Sequence, residues 1–182
     1  MSSDFFERRS SSSWESENKM KHTISILVEN HAGVLSRISG LFSRRGFNID
    51  SLAVGETDDP RISRVTIVAD GDEHTVEQLE KQLNKLIDTL KVKALAPHEF
   101  ISRELQLIKI NATSKQRGEI LTICDIMGAK IIDLSQSTMT IEISDTTAHL
   151  ERFEELIRPY GIKEIVRTGV IAIQKGAETI RK

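Results

Sequence analysis

The residues with the clearest potential for chemistry form the first turn from a strand to a helix, Asn30-His31-Ala32-Gly33-Val34. A glycine at a helix start lets backbone N–H groups approach a ligand closely, and a helix N-terminus favours an anion such as a carboxylate. Asn30 can cap the helix or accept an ammonium N–H through its side-chain oxygen. Val34 and Leu35 would supply an apolar wall. Two interpretations therefore stay open: an ordinary capped turn, or a pocket for a small zwitterion with an aliphatic side chain.

A second asparagine, Asn48, follows the first helix and opens the second strand, with Ile49 after it. We expect this strand to lie beside the first strand, which would bring Asn48 to the same pocket. The second half of the chain has Ala112-Thr113-Ser114-Lys115 at the corresponding place and lacks the glycine. The second half is therefore not expected to form an equivalent site.

The remaining reactive side chains form no catalytic constellation. None of the five histidines has a second histidine or a cysteine three or four residues away; they are His22, His31, His74, His98 and His149. Cys124 lies on the apolar face of a predicted helix and is expected to be a small buried residue, not a nucleophile. The chain has no glycine-lysine phosphate loop and no nucleophile elbow. We predict that the chain has no catalytic residues and binds no metal.

Composition narrows the class of protein. The 182 residues carry 25 basic and 27 acidic side chains, so there is no basic field to attract nucleic acid or an anionic membrane. One cysteine excludes a disulfide framework within the chain. No apolar stretch approaches the roughly 20 residues that span a bilayer. We therefore expect neither nucleic acid nor a membrane to be a partner of this chain.

Residues 1–20 differ from the rest of the chain, with six serines between Ser2 and Ser13 and no periodicity. Such a composition buries too little surface to offset the entropy of ordering, and it predicts a disordered tail. A docking or targeting role is the alternative. Transit peptides are poor in acids, whereas this tail has several: Asp4, Glu7, Glu15 and Glu17. We expect a cytoplasmic protein, with a plastid left open.

The elements that would position the turn repeat along the chain. Alternating apolar residues predict strands, and apolar residues three or four apart predict helices. The order strand, helix, strand, strand, helix, strand is completed at Pro97 and begins again at Leu105. The asparagines that end the two first strands, Asn30 and Asn111, are 81 residues apart. The sequence thus predicts an α+β fold of two ferredoxin-like βαββαβ units, over residues 21–97 and 98–182.

Three finer predictions concern these units. A capping box, Thr75-x-x-Gln78, would start the second helix, whose apolar stripe continues to Leu90 before a short strand over residues 92–95. Gly46 and Gly128 would stop the first helix of each unit. The antiparallel sheet of each unit would leave one face without helices. The edge strands would also present unpaired backbone N–H and C=O groups. Dimerisation through a sheet edge or a sheet face would pair these groups or cover that face.

Several motifs together resemble one family. The run ENHAGVLSR (residues 29–37), continued by GLFSRRGFNI (residues 40–49), resembles the ACT domain of the acetolactate synthase small subunits. TDDP (residues 57–60) and QLEKQLNKL (residues 78–86) are similar to the same family, and the resemblance extends over residues 21–182. It identifies the first unit as an ACT domain and the second as an ACT-like domain.

This resemblance implies a non-catalytic regulatory subunit. Its catalytic partner would carry thiamine diphosphate, Mg²⁺ and FAD, and would condense pyruvate with pyruvate or 2-oxobutyrate in branched-chain amino-acid synthesis. The small subunit would raise that activity and confer feedback inhibition, typically by valine, although leucine and isoleucine stay open as effectors. The effector site would lie where two ACT domains meet in a homodimer. Its positions carry over to Asn30, Ala32, Gly33, Val34, Leu35, Asn48 and Ile49.

Three other functions remain as alternatives. The first is an amino-acid-sensing ACT protein that regulates a different enzyme. The second is an RNA-recognition module, which shares the βαββαβ order but needs stacking aromatics that the first and third strands lack. The third is an enzyme that acts alone.

Overall fold

A computed structural model describes residues 20–44 and 48–181. The predicted tail lies outside the described residues except for Met20, which begins the first strand. Gly46, predicted to stop the first helix, also lies outside them.

The first unit contains four strands and two helices in the predicted order. They are β1 (Met20–Glu29), α1 (Val34–Arg44), β2 (Ile49–Glu56), β3 (Ile62–Gly71), α2 (Glu73–Leu83) and β4 (Thr89–Leu95). The strands form an antiparallel sheet in the order β2-β3-β1-β4. The second strand in sequence is therefore at the edge of the sheet, and β3 separates it from β1.

The second unit repeats this plan. It consists of β5 (Phe100–Asn111), α3 (Arg117–Met127), β6 (Lys130–Leu134), β7 (Thr138–Asp145), α4 (Thr147–Ile157), a 3₁₀ turn (Arg158–Tyr160), β8 (Ile162–Arg167) and β9 (Ile171–Gln174). The order of the main sheet is β6-β7-β5-β8, and β9 pairs with the first residues of β5. The predicted class, two ferredoxin-like units of the α+β type, is confirmed.

Each unit has its own aliphatic core between one face of the sheet and its two helices. In the first unit Ile38 and Phe42 of α1 and Leu79 of α2 pack on β1 and β3. In the second unit Cys124 is buried in the core, as predicted, and burial raises the pKa of its thiol to about 11. Among residues 20–44 and 48–181, no helix has the length and apolar composition needed to cross a bilayer.

The helix α2 begins and ends earlier than its sequence pattern predicts. Its cap is Asp72, whose carboxylate accepts the backbone N–H of Thr75 at 2.6 Å, so Thr75 lies inside the first turn. The helix ends at Leu83; Ile87 is 87% exposed and Leu90 belongs to β4. The apolar spacing predicted a longer helix because it continues beyond Leu83. Residues 84–88 instead form a turn, which brings Asp88 into contact with the end of β1.

The second face of the first sheet is covered by the C-terminal part of the same chain. Ser25 and Thr66 on this face are almost fully buried, as is Ile180 near the C-terminus. Ion pairs and hydrogen bonds join the two parts: Lys93–Glu178 at 3.1 Å, Asp58–Arg181 at 2.8 Å and Ser51–Val170 at 2.7 Å. A second copy of the chain is therefore not needed to cover this face, contrary to what dimerisation through a sheet face would require. The edge strand β2 pairs only with β3 among the described strands.

Candidate functional site

The turn between β1 and α1 is held by the loop that joins β2 to β3. The side-chain nitrogen of Asn30 donates to the carbonyl of Pro60 at 2.8 Å and to the carboxylate of Glu56 at 3.1 Å. The backbone N–H of Asn30 donates to the carbonyl of Arg61 at 2.7 Å. Asn30 is thus anchored away from the helix. Within the described part of the chain its side-chain oxygen has no hydrogen-bond partner, and this oxygen is an acceptor.

Gly33 gives the turn its open backbone. Its φ of +92° lies in the left-handed region that favours glycine, and a Cβ placed there would have no neighbour within 4 Å. Ala32 and Gly33 are exposed. Val34 is buried in the core, whereas Leu35 is 42% exposed, so Leu35 is the apolar residue that this turn presents at the surface.

A buried carboxylate stabilises the turn, and no sequence pattern predicted it. Asp88, only 5% exposed, accepts from the His31 ring at 3.1 Å and forms an ion pair with Arg37 of α1. Its backbone carbonyl accepts the N–H of Glu29 at 2.9 Å. The His31 ring also contacts the carbonyl of Ala32 at 3.0 Å, and this hydrogen bond, with further help from Asp88, raises the pKa of His31. Asp88 thus joins the end of β1 to the start of α1.

Three side chains here have the chemistry of metal ligands. Ligand atoms of Glu29, His31 and Asp88 lie within 4.8 Å of one another. The guanidinium of Arg37 already engages an oxygen of Asp88, so positive charge is supplied at this point by the protein itself. The group is therefore better explained as an ion-pair clamp that shapes the turn.

Asn48 and Ile49 lie at the opposite end of the sheet from this turn. Ile49 pairs with Ala69, which also pairs with His22 near the start of β1, whereas Asn30 follows the last residue of β1. At about 3.3 Å per residue the separation along the sheet is roughly 25 Å. The expectation that the second strand lies beside the first is wrong, because α1 returns the chain to the far end and β3 occupies the position between β1 and β2. In one copy of the chain the two asparagines do not share a pocket.

The corresponding turn of the second unit is closed by its own residues. Ala112 is fully buried and its N–H donates to Ser137 at 2.8 Å. Gln116 accepts both the N–H and the hydroxyl of Thr113, and the guanidinium of Arg117 binds the carbonyls of Ser135 and Gln136. The backbone N–H of Ala112 and the side chains of Thr113 and Arg117 are thus engaged within the unit. That this turn is not a second site stays a prediction.

Both units match models of one protein family. Residues 24–91 match the AHAS small subunit-like ACT domain, and residues 103–176 match the small subunit of acetolactate synthase.

Whole proteins from distant organisms are similar along nearly their full length. A probable acetolactate synthase small subunit of Archaeoglobus fulgidus is 49% identical over 157 residues, which cover 86% of this chain and 98% of that protein. The acetolactate synthase isozyme 3 small subunit of Escherichia coli is 42% identical over 163 residues, covering 89% of this chain and 100% of that protein.

A solved structure agrees with these sequence matches. The crystal structure of the acetolactate synthase small subunit from Thermotoga maritima superposes with a TM-score of 0.82 at 38% identity, covering 87% of this chain and 99% of that one. Since 87% of this chain is covered, the agreement includes both units. This chain therefore belongs to the family of acetolactate synthase small subunits, with an ACT domain as its first unit.

Proposed function

We propose that this chain binds the catalytic subunit of acetolactate synthase, raises its activity and makes it sensitive to feedback inhibition by valine. The observation that carries the proposal is the open turn at Asn30 and Gly33 in a chain of this family. A helix N-terminus suits the carboxylate of an amino acid, and the side-chain oxygen of Asn30 suits its ammonium. The exposed side of Leu35 suits an aliphatic side chain.

The effector site in this proposal is formed by two copies of the chain. A two-fold axis beside the edge strand β2 would set the strands of the two copies antiparallel, so that one end of the first sheet lies next to the opposite end of its partner. This arrangement would bring Asn30 and Gly33 of one copy toward Asn48 and Ile49 of the other. Among the described strands β2 pairs only with β3, which supports such a homodimer, and the separation of roughly 25 Å within one copy is what this arrangement needs.

Regulation would follow from different affinities of the effector for two arrangements of this dimer. A ligand that binds one arrangement more tightly shifts the population toward it, and coupling of about 1–3 kcal/mol between two sites is common. Valine would favour the arrangement in which the catalytic partner is less active. Thiamine diphosphate, Mg²⁺ and FAD belong to that partner in this proposal, where thiamine diphosphate would supply the chemistry of carbon–carbon bond formation.

The substitution Gly33→Asp tests the site with a matched control. It places a carboxylate where the effector carboxylate is proposed to bind, on a backbone position that already disfavours a side chain. We expect the variant to activate the catalytic subunit without valine sensitivity, and calorimetry to show loss of valine binding. Ser114→Asp, at the corresponding position of the second unit, should leave both properties unchanged.

The proposal fails if Gly33→Asp binds valine as tightly as the wild type. It also fails if the chain does not alter the activity or the valine response of a co-purified catalytic subunit.

A further inference from the structure

Glu56, the last residue of β2, contacts the turn of the first unit and is not among the residues that the sequence predicted for the site. It lies opposite Ser63 of β3, two residues from Val65, which packs in the core between the sheet and the helices. Because alternate residues of a strand share a face, Glu56 is on the side of the sheet that carries the helices and the turn. Its carboxylate accepts a side-chain N–H of Asn30 at 3.1 Å, and both residues are exposed.

The amide of Asn30 is held in one orientation by its two neighbours. Its nitrogen lies 3.1 Å from a carboxylate oxygen of Glu56 and 2.8 Å from the carbonyl oxygen of Pro60. An ionised carboxylate and a carbonyl only accept hydrogen bonds, so reversing the amide would set its oxygen against two other acceptors. The nitrogen is therefore committed to these partners, and the amide offers a ligand its oxygen, which can only accept.

The loop that supplies the carbonyl of Pro60 is closed by its own hydrogen bonds. The backbone N–H of Thr57 donates to the carbonyl of Ile62 at 2.9 Å, and the N–H of Ile62 donates to the carbonyl of Asp59 at 2.9 Å. The guanidinium and the backbone N–H of Arg61 donate to the carboxylate of Asp59, and these hydrogen bonds lower the pKa of Asp59 to about 2. The loop thus presents a fixed acceptor to the amide of the turn.

The charge of Glu56 differs from that of the other two acids of this hairpin. Asp58 forms an ion pair with Arg181 at 2.8 Å, and Asp59 forms one with Arg61 at 2.7 Å. The carboxylate of Glu56 bonds to a neutral amide and, among residues 20–44 and 48–181, pairs with no cation. An uncompensated negative charge a few ångströms from an amide oxygen attracts a cation to that oxygen and repels an anion.

We propose that Glu56 is a positioning residue, which makes the turn at Asn30 and Gly33 select an amino acid over the 2-oxo acid of the same carbon skeleton. This inference rests on the proposed function and specifies the class of effector that the turn accepts. The ammonium of an amino acid donates to the Asn30 oxygen and is attracted by the charge of Glu56. A 2-oxo acid has a carbonyl oxygen at that place, which meets the Asn30 oxygen as a second acceptor and brings no positive charge.

Such selection has a use in the proposed function, because the substrates of the catalytic partner are 2-oxo acids. They share a carboxylate and a short aliphatic chain with the effector, and a helix N-terminus beside an apolar side chain recognises only these shared groups. The ammonium is the group that differs. A turn that reads the ammonium therefore responds to the amino acid and not to the substrates of the enzyme that it regulates.

The test is a calorimetric titration of the full-length wild type, Glu56→Gln and Glu56→Asp with L-valine and with 3-methyl-2-oxobutanoate, the 2-oxo acid of the same skeleton. The wild type should bind valine about 10- to 100-fold more tightly, because the analogue lacks one hydrogen bond from a charged group. Glu56→Gln keeps an acceptor for Asn30 but removes the charge. The ratio of the two dissociation constants should then fall by about three- to fivefold, the effect of one charge at roughly 4–6 Å in water. Glu56→Asp, which keeps the charge, should retain most of the ratio.

Asp58→Asn is the matched control on the same hairpin. It removes one carboxylate charge, but that carboxylate is already paired with Arg181. The ratio of the two dissociation constants should therefore stay within about twofold of the wild-type value.

The outcomes separate the role of Glu56 from the effector turn itself. A lower ratio in Glu56→Gln, with the ratio of Asp58→Asn unchanged, supports the selection by Glu56. An equal loss of affinity for both ligands in Glu56→Gln would show that Glu56 only holds the turn in shape, and an unchanged ratio would show that it does not read the ammonium. Either result overturns this inference and leaves the effector turn standing. If the wild type binds neither ligand at concentrations up to about 10 mM, the effector turn and this inference both fail.

Discussion

The strand-to-helix turns of the two units have the same place in the same fold but opposite characters. In the first unit, Asn30 is held by the neighbouring loop so that its side-chain oxygen stays free, and Gly33 leaves the backbone open. In the second unit, Ala112 is buried and Thr113 bonds to Gln116. Both turns begin with an asparagine, so the residue type alone does not make a site. What differs is the start of the helix: Gly33 is exposed with a left-handed backbone, whereas Ala112 is buried and Thr113 is hydrogen-bonded to Gln116.

Replacing each asparagine in turn tests the difference between the two turns most directly. Asn30→Ala should weaken valine binding by about 10- to 100-fold, because one hydrogen bond to a charged ammonium is lost. Asn111→Ala should leave valine affinity within about twofold, since surface substitutions away from a site have small effects. Calorimetric titration of both variants measures the difference.

Circular dichroism and melting temperature serve as the folding control for both variants. Equal losses of valine affinity in the two variants would show that the turns do not differ in the way proposed.

The glycines near the two turns should differ in their tolerance of a side chain. Gly161, beside Asn111, has a φ of +88°, and a Cβ there would lie 2.7 Å from the Asn111 side-chain nitrogen. Gly161→Ala should lower the free energy of unfolding by about 2–3 kcal/mol, from the left-handed backbone and the displaced side chain. Gly33→Ala, with open space around its Cβ, should cost only about 1–2 kcal/mol.

Urea unfolding, followed by circular dichroism, compares these two glycine variants. A larger loss of stability in Gly33→Ala than in Gly161→Ala would contradict the description of the first turn as open.

The smallest expected effect concerns the ion-pair clamp, which has no counterpart among the described residues of the second turn. Glu29, Asp88 and Arg37 surround His31, whose raised pKa means that the folded protein binds its proton more tightly than the unfolded chain. The stabilisation is complete below the unfolded pKa of about 6.5 and is lost as the pH rises through the folded value. The melting temperature of the wild type should therefore fall slightly more between about pH 6 and about pH 8 than that of His31→Gln.

Differential scanning calorimetry in matched buffers is the measurement for His31. Identical pH dependence in the two proteins would show that His31 does not stabilise the turn through its charge.

Local features of this site were predictable because they depend on residues close together in sequence. The glycine at the start of α1 does have the left-handed backbone that glycine favours, whereas the prediction that only this turn binds a ligand stays a prediction. Predictions that needed distant residues were incomplete or wrong. Asp88, which supports the turn, is 57 residues from His31. The spacing of the apolar residues around it predicted that it lies in a helix. Asn48 was assigned to the wrong neighbour because sequence order does not reveal that β3 lies between β1 and β2.

The sequence by itself determined the two-unit α+β fold, since the periods of apolar residues specify strands and helices and their order repeats after 81 residues. Residue types that act locally also predicted a ligand site at the first turn and none at the second, and this stays a prediction. Only the tertiary structure decided that Asn30 and Asn48 are at opposite ends of one sheet and that the second face of this sheet is covered by the chain's own C-terminal part. These are consequences of strand order and long-range packing. They depend on which surfaces fit together after the local elements have formed, and periodicity carries no information about that choice.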